Sequence, residues 1–223
     1  MGYSDPGPSP RTARRIASEL AELVDRSGIA RPVVLVAASS GGFDVRVFAS
    51  DYPDRAAGLV LVDATHEDQG HEIPGLARFV PLLSSVGILR LLGVSFGLNP
   101  ESLPPSTQSF ARATRFRAAG YQAAADEIIH IHDSASEVRT SRRRLTIPVV
   151  VITGARGADA TWQGLQRDQA SLSDVGCQIV AEQSGHVVGI DQPQVVVDAI
   201  RAVVENARAR KNASPCAPVA GVR

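Results

Sequence analysis

The sequence predicts an α/β fold built on a mostly parallel sheet, and three observations carry that prediction. Four short aliphatic runs, Pro32 to Ala37, Gly58 to Val62, Pro148 to Thr153 and Gln178 to Val180, lack the polar/apolar alternation of a half-exposed strand. They fit strands covered on both faces. Segments with apolar residues at helical spacing separate or follow them, the order that produces parallel pairing. The composition, 44% hydrophobic and 21% charged, can bury a core and is not that of a disordered chain. A length of 223 residues permits one domain, or one domain with a sizeable insertion.

Taken in order, Arg11 to Arg26 places Ile16, Leu20, Leu23 and Val24 on one helical face, and Gly28 stops the helix. The first strand follows, then Ser39-Ser40-Gly41-Gly42 turns the chain into a helix over Phe43 to Asp51 that Tyr52-Pro53 ends. The second strand closes at Asp63. Between Asp63 and Pro148 the character changes: Phe79 to Leu92 predicts one helix, and Gln108 to Arg142 one or two rich in alanine and arginine. The expected division is a core of 1–65 and 146–208, a helical cap of 66–145 between the second and third strands, and a disordered tail of 209–223. A last helix covers Val195 to Val204, after Asp191 and Pro193.

Charge narrows the partners. With 23 basic and 23 acidic side chains the net charge is +0, so no global field attracts nucleic acid or an anionic membrane, and neither is expected as a partner. No apolar run reaches spanning length, and residues 1–15 hold no secretory core, so the expected location is cytoplasmic. The two cysteines, Cys177 and Cys216, argue against a disulfide framework and for a reducing compartment. Glycine-rich nucleotide loops are absent, so no cofactor is expected. His130-Ile131-His132-Asp133 has metal-type side chains, but residues two apart on a helix do not share a face, and no metal is assigned. His66-Glu67-Asp68 and His71-Glu72 lie in the strand-to-cap connection, where they could line an entrance, and are read in preference as solvated loop.

A serine set between a buried strand and a helix, with glycine two residues later, marks a sharp turn that lifts its hydroxyl over the sheet edge. Ala37-Ala38-Ser39-Ser40-Gly41 has that layout, with small residues two before and two after Ser39. Ser40 is a second candidate, flanked by Ala38 and Gly42, and either serine also suits a helix cap; the end of the strand at Val34-Leu35-Val36 favours Ser39. A nucleophilic serine needs a base, and His186 follows the last strand through Ser184-Gly185 and precedes Asp191-Gln192-Pro193. Two carboxylates compete to orient the imidazole. Asp159 lies in a Gly/Ala-rich loop beyond the third strand, and Asp63 sits at the end of the second; Asp63 is preferred because a strand end holds a side chain better.

The stretch Val33 to Pro53 resembles the nucleophile elbow of α/β-hydrolases, Gly-x-Ser-x-Gly, with Ala37 replacing the first glycine, and the Ser-Gly-His loop before Asp-Gln-Pro is similar to that family's histidine loop. The resemblance implies a serine hydrolase of the carboxylic-ester type: Ser39 as nucleophile, His186 as base, Asp63 or Asp159 as the acid, and the Ser40 N–H as oxyanion donor. A haloperoxidase-like or an epoxide-opening activity is the enzymatic rival on the same fold, and serine at the elbow, where epoxide and dehalogenation chemistry uses aspartate, counts against the latter. Gly2 to Asp5 resembles the Gly-x-Gly-x-Ser-Asp loop that follows the family's fourth strand, implying an N-terminally truncated sheet and an apolar edge at the elbow strand. Two functions therefore stand side by side. One is hydrolysis of a small lipophilic ester in a pocket formed with Phe79, Leu82, Leu83, Ile88, Leu91 and Leu92, residues that suit internal packing of the cap equally well; the other is an impaired remnant that pairs through its exposed sheet edge with a partner or with itself.

Overall fold

The computed structural model describes residues 7–75, 77–93, 99–209 and 214–216. They fall into two compact units, one within Met1–Thr12 and Gly70–Asp133, the other within Ala13–Gln69 and Ser134–Arg223.

The second unit is the α/β unit. Strands β1 (Val33–Ala38), β2 (Ala56–Val62), β3 (Val149–Gly154) and β4 (Cys177–Ala181) form one parallel sheet in the order β1-β2-β3-β4. Val36 pairs with Val60, Val60 with Val150, and Val150 with Cys177. Every residue of β3 is buried, and six of the seven in β2 are, which is why neither shows alternation. Helices α1 (Ala13–Arg26) and α2 (Gly41–Asp51) pack on each other; α8 (Ala160–Ala170) lies on β3 and β4, and α10 (Pro193–Ala209) on β1, β2 and β3. Val60, Val62, Val150 and Ile152 meet Val188, Ala199 and Val203 in one core. The buried face of α1 is Ala13, Ala17, Ala21 and Val24, small side chains that let it lie close to α2, whereas Leu23 is 61% exposed.

β1 is an edge strand. Only Leu35 in it is buried, Val36 is 44% exposed, and an apolar groove of about 810 Å³ runs beside it, lined among others by Ile29, Val34, Val36, Ile200 and Val204.

The connection after β2 corrects the reading of a solvated loop. His66 and Glu67 are 1% and 3% exposed, inside an ion network of this unit. Glu67 takes two hydrogen bonds from Arg46, at 2.7 and 2.8 Å, and a third from Arg142 at 2.8 Å; Asp168 accepts from Arg142 and pairs with His66, each near 2.8 Å. Burial alone pushes the Glu67 carboxyl up, but the hydrogen bonds and charge of Arg46 outweigh it and hold it at about 2.

The first unit is helical: α3 (Val80–Ser85), α4 (Ile88–Leu91), α5 (Pro105–Thr114), α6 (Ala118–Ile129) and the start of α7 (Ile131–Ser141). Its small core joins Val80 and Leu89 to Tyr121 and Ala125. The single helix expected over Phe79 to Leu92 is broken at Gly87, whose φ of 78° is a left-handed turn that ends one helix and starts the next. Gln108 to Arg142 makes three helices, because Arg117 is extended and His130 leaves helical geometry. His130 pairs with Asp133 at 2.8 Å and Asp126 at 3.6 Å, and among the described residues no group of three or more His, Cys, Asp or Glu could hold a metal.

The tail differs from expectation where it is described. Cys216 forms a disulfide with Cys177 of β4, Cα atoms 6.1 Å apart, and packs against the core beside it. The chain after α10 returns to the last strand, so cysteines 39 apart in sequence meet, and the cysteine argument for a reducing compartment falls. Residues 210–213 and 217–223 of the expected disordered tail lie outside the described residues. No described helix is long and apolar enough to cross a membrane.

Candidate active site

The α/β unit builds the site at the C-terminal ends of its strands. β1 ends at Ala38, and Ser39 takes φ 52°, a left-handed conformation that costs a non-glycine residue about 1–3 kcal/mol and persists only when its surroundings hold it. Three backbone bonds do so: the Ser39 N–H donates to Val62 at 3.3 Å, and its carbonyl accepts from Gly42 and Thr65, each at 3.0 Å. The tight packing is at Gly42. A Cβ there would lie 2.6 Å from that of Ala64, while one at Gly41 would meet Ala37 at 3.6 Å, an ordinary contact. The glycine demanded by the turn is thus Gly42, three residues after the serine, and not Gly41, the small residue two after it. Ser40 is the half-buried N-cap residue of α2, and its side chain makes no capping bond.

At the end of β2 the strain recurs. Asp63 has φ 44° and is 4% exposed, its N–H donating to Ile152 at 2.6 Å. Its carboxylate is held from three sides: Oδ1 accepts from the Gly154 N–H at 3.1 Å and from the Trp162 indole at 3.0 Å, and Oδ2 from His186 Nδ1 at 2.6 Å. Trp162, Gln166 and Gln169 recur at i, i+4 and i+7 along one face of α8. Both glutamines donate to the Ala64 carbonyl, at 2.8 and 2.9 Å, so α8 grips the two residues that leave β2. The competing carboxylate is occupied elsewhere. Asp159 caps α8, accepting from the Trp162 N–H at 2.7 Å, so the structure brings Asp63 and not Asp159 to the imidazole.

His186 is placed by a loop tied at both ends. Asp191 Oδ2 accepts from the Gly185 N–H and the Ser184 hydroxyl, at 3.0 and 3.2 Å, and Gln192 Oε1 from the Gln183 N–H at 2.8 Å, which gives the Asp-Gln-Pro segment a mechanical task. At Gly154 a Cβ would collide with the carbonyl of Gly185, so a bare backbone lets the loop seat against β3. The imidazole Nε2 then lies 3.1 Å from Ser39 Oγ. The hydrogen bond that His186 donates to Asp63 raises the His186 pKa above its ordinary value, opposed by burial. With the Nδ1 proton on the carboxylate side, Nε2 is left to accept from the serine hydroxyl.

Ser39, Asp63 and His186 open on a cleft of about 390 Å³, whose other lining residues include Thr65, Gln69, Arg156, Ala158 and Trp162. Sequence reasoning missed Trp162 altogether; the helical spacing of one tryptophan and two glutamines was the available signal, and nothing in it says what they face.

A model of the alpha/beta hydrolase family matches residues 1–199. The chain belongs to that family. Solved structures with the same alpha/beta hydrolase fold include Cfl2 of Burkholderia cenocepacia, with a TM-score of 0.67 and 20% identity over 90% of this chain and 74% of that one. A thermophilic esterase of Thermogutta terrifontis gives 0.60 and 22%, over 91% and 74%, and the epoxide hydrolase CorEH 0.63 and 20%, over 92% and 78%. Uncharacterized protein C23C11.06c of Schizosaccharomyces pombe is 35% identical over 101 residues, 43% of this chain and 19% of its own length. This alpha/beta hydrolase chain thus matches about a fifth of that curated relative.

Proposed function

We propose that the chain is a serine hydrolase acting on an ester-type bond through Ser39, His186 and Asp63. The observation that carries the reading is the unbroken relay from Ser39 Oγ to His186 Nε2 at 3.1 Å and from Nδ1 to Asp63 at 2.6 Å, with the serine on a left-handed elbow. In the acylation step Oγ bonds to the carbonyl carbon and its proton passes to Nε2. The oxyanion draws on the Ser40 N–H, and collapse breaks the ester C–O bond while the alcohol leaves with the proton from Nε2. Water then repeats the cycle and frees the acid. Asp63 keeps the imidazole in the required tautomer and balances the imidazolium. No cofactor enters these steps.

A fluorophosphonate probe tests this directly: it labels the purified chain, and labelling disappears in Ser39→Ala. The exposed β1 edge and the apolar groove beside it support a second reading, an interaction module that associates through that edge with itself. Folded protein that resists the probe and self-associates would favour it.

The raised His186 pKa sets the pH dependence. Nε2 accepts a proton only when neutral, so kcat/KM falls as pH drops through a midpoint above the free-imidazole value of about 6.5. In Trp162→Phe the Asp63 carboxylate loses one neutralising donor and pulls harder on the imidazole. The midpoint moves up and kcat falls about tenfold, the scale of one hydrogen bond to a charged group. A pH profile superimposable on the parent's would show that the indole only fills space.

A further inference from the structure

The helical unit carries an outward face that its own packing does not explain. Along α3 and α4, Val80, Ser84 and Leu89 turn inward, the first and last joining Tyr121 and Ala125. A helix pair on the surface of a water-soluble unit would place polar residues opposite them. Here the opposite face is also apolar: Phe79 is 44% exposed, Leu82 61%, Val86 62%, Leu91 84% and Leu92 67%. Phe79, Leu82 and Val86 follow one another at i, i+3 and i+7, and beyond Gly87 Leu91 and Leu92 are exposed as well. Five large apolar side chains in one short stretch exceed the scattered exposure that surfaces tolerate and mark a face made for a non-aqueous contact.

The charges beside the strip say what kind. From Ile73 to Pro100 the sequence holds no aspartate or glutamate, and its two charged residues are Arg78 and Arg90. Both are exposed, and Arg78 lies over the Phe79 ring, 5.0 Å from its centroid. An apolar strip flanked by cations and free of acids is complementary to a bilayer surface, with the aliphatic side chains at the acyl boundary and the guanidinium groups at anionic headgroups. Neither the zero net charge nor the lack of a spanning helix bears on this, because both concern the whole chain or its crossing of a bilayer and not the docking of one face.

We propose that the α3–α4 face docks the chain on an anionic lipid surface, with Leu82, Val86, Leu91 and Leu92 entering the interface and Arg78 and Arg90 pairing with headgroups. Flotation of the full chain with phosphatidylcholine vesicles, with and without a quarter phosphatidylglycerol, tests it. Binding to the mixed vesicles is expected, weaker without the anionic lipid and weaker in high salt. The double variant Leu91→Asp/Leu92→Asp loses binding at least tenfold with an unchanged thermal midpoint, since those side chains lie outside the core. Arg90→Gln weakens binding to the anionic vesicles about fivefold, the worth of one interfacial cation, and leaves binding to neutral vesicles as it was. The proposal is overturned if the parent chain does not float with either vesicle at millimolar lipid. It is equally overturned if sedimentation shows the strip mediating self-association, abolished by Leu91→Asp/Leu92→Asp, with no lipid binding.

Discussion

Asp63→Asn lowers kcat/KM for a p-nitrophenyl ester by on the order of 10³–10⁴-fold, while Asp159→Asn stays within about twofold of the parent. The asymmetry follows from what each carboxylate touches. Asp63 is buried, both its oxygens are engaged, and one accepts the Nδ1 proton of His186 at 2.6 Å. An amide there can present its N–H₂ to Nδ1, which moves the imidazole proton to Nε2 and leaves nothing to accept from the Ser39 hydroxyl. Asp159 caps α8, and asparagine caps a helix about as well. Steady-state rates of the two purified variants decide the matter. Equal losses, or a greater loss at Asp159, would overturn the assignment of the acid. Titration of His186 by NMR gives a second readout, its pKa falling in Asp63→Asn because the group that raises it has lost its charge.

Glu67→Ala destabilises the α/β unit by about 3–5 kcal/mol, the range for removing one partner of a buried ion pair. The cost comes from what is left behind: Arg46, whose side chain is 4% exposed, loses both its hydrogen bonds to the carboxylate, and Arg142 loses one of its two. Denaturant unfolding measures it. Asp174→Ala, which breaks the exposed pair with Arg144, is the control and costs less than about 1 kcal/mol. The same carboxylate gives an acid limit to stability. Its native pKa of about 2 lies below the unfolded value near 4.3, so its contribution is complete above about pH 4.3 and is lost as pH falls toward 2. In Glu67→Gln that part of the acid transition disappears. A cost for Glu67→Ala no larger than that of Asp174→Ala would remove the network from any account of how the chain leaving β2 is held.

The parts of the site legible in sequence were those that local chemistry dictates. A strand buried on both faces cannot alternate, and a serine directly after one, with small residues about it, announces a turn of the observed kind. Ser184-Gly185-His186 announced itself through its place after the last strand. Trp162 stayed hidden because its role belongs to the far end of its side chain. An indole on a helix face reads the same whether it meets a core or the carboxylate of a residue 99 positions away. His66 and Glu67 misled for a related reason: charged residues in a connecting segment read as solvated until Arg46 of α2, Arg142 just after α7 and Asp168 of α8 come in.

By itself, then, the amino-acid order determined the α/β class, the strands and the two segments that carry Ser39 and His186, because backbone sterics and the covering of apolar runs act over a few residues. The sequence already favoured Asp63 over Asp159; tertiary structure alone decided that α8 holds that aspartate, that Cys216 returns to Cys177, and which apolar helix face is left outside. These depend on residues 39 to 99 positions apart meeting in space, and no local preference encodes such a meeting.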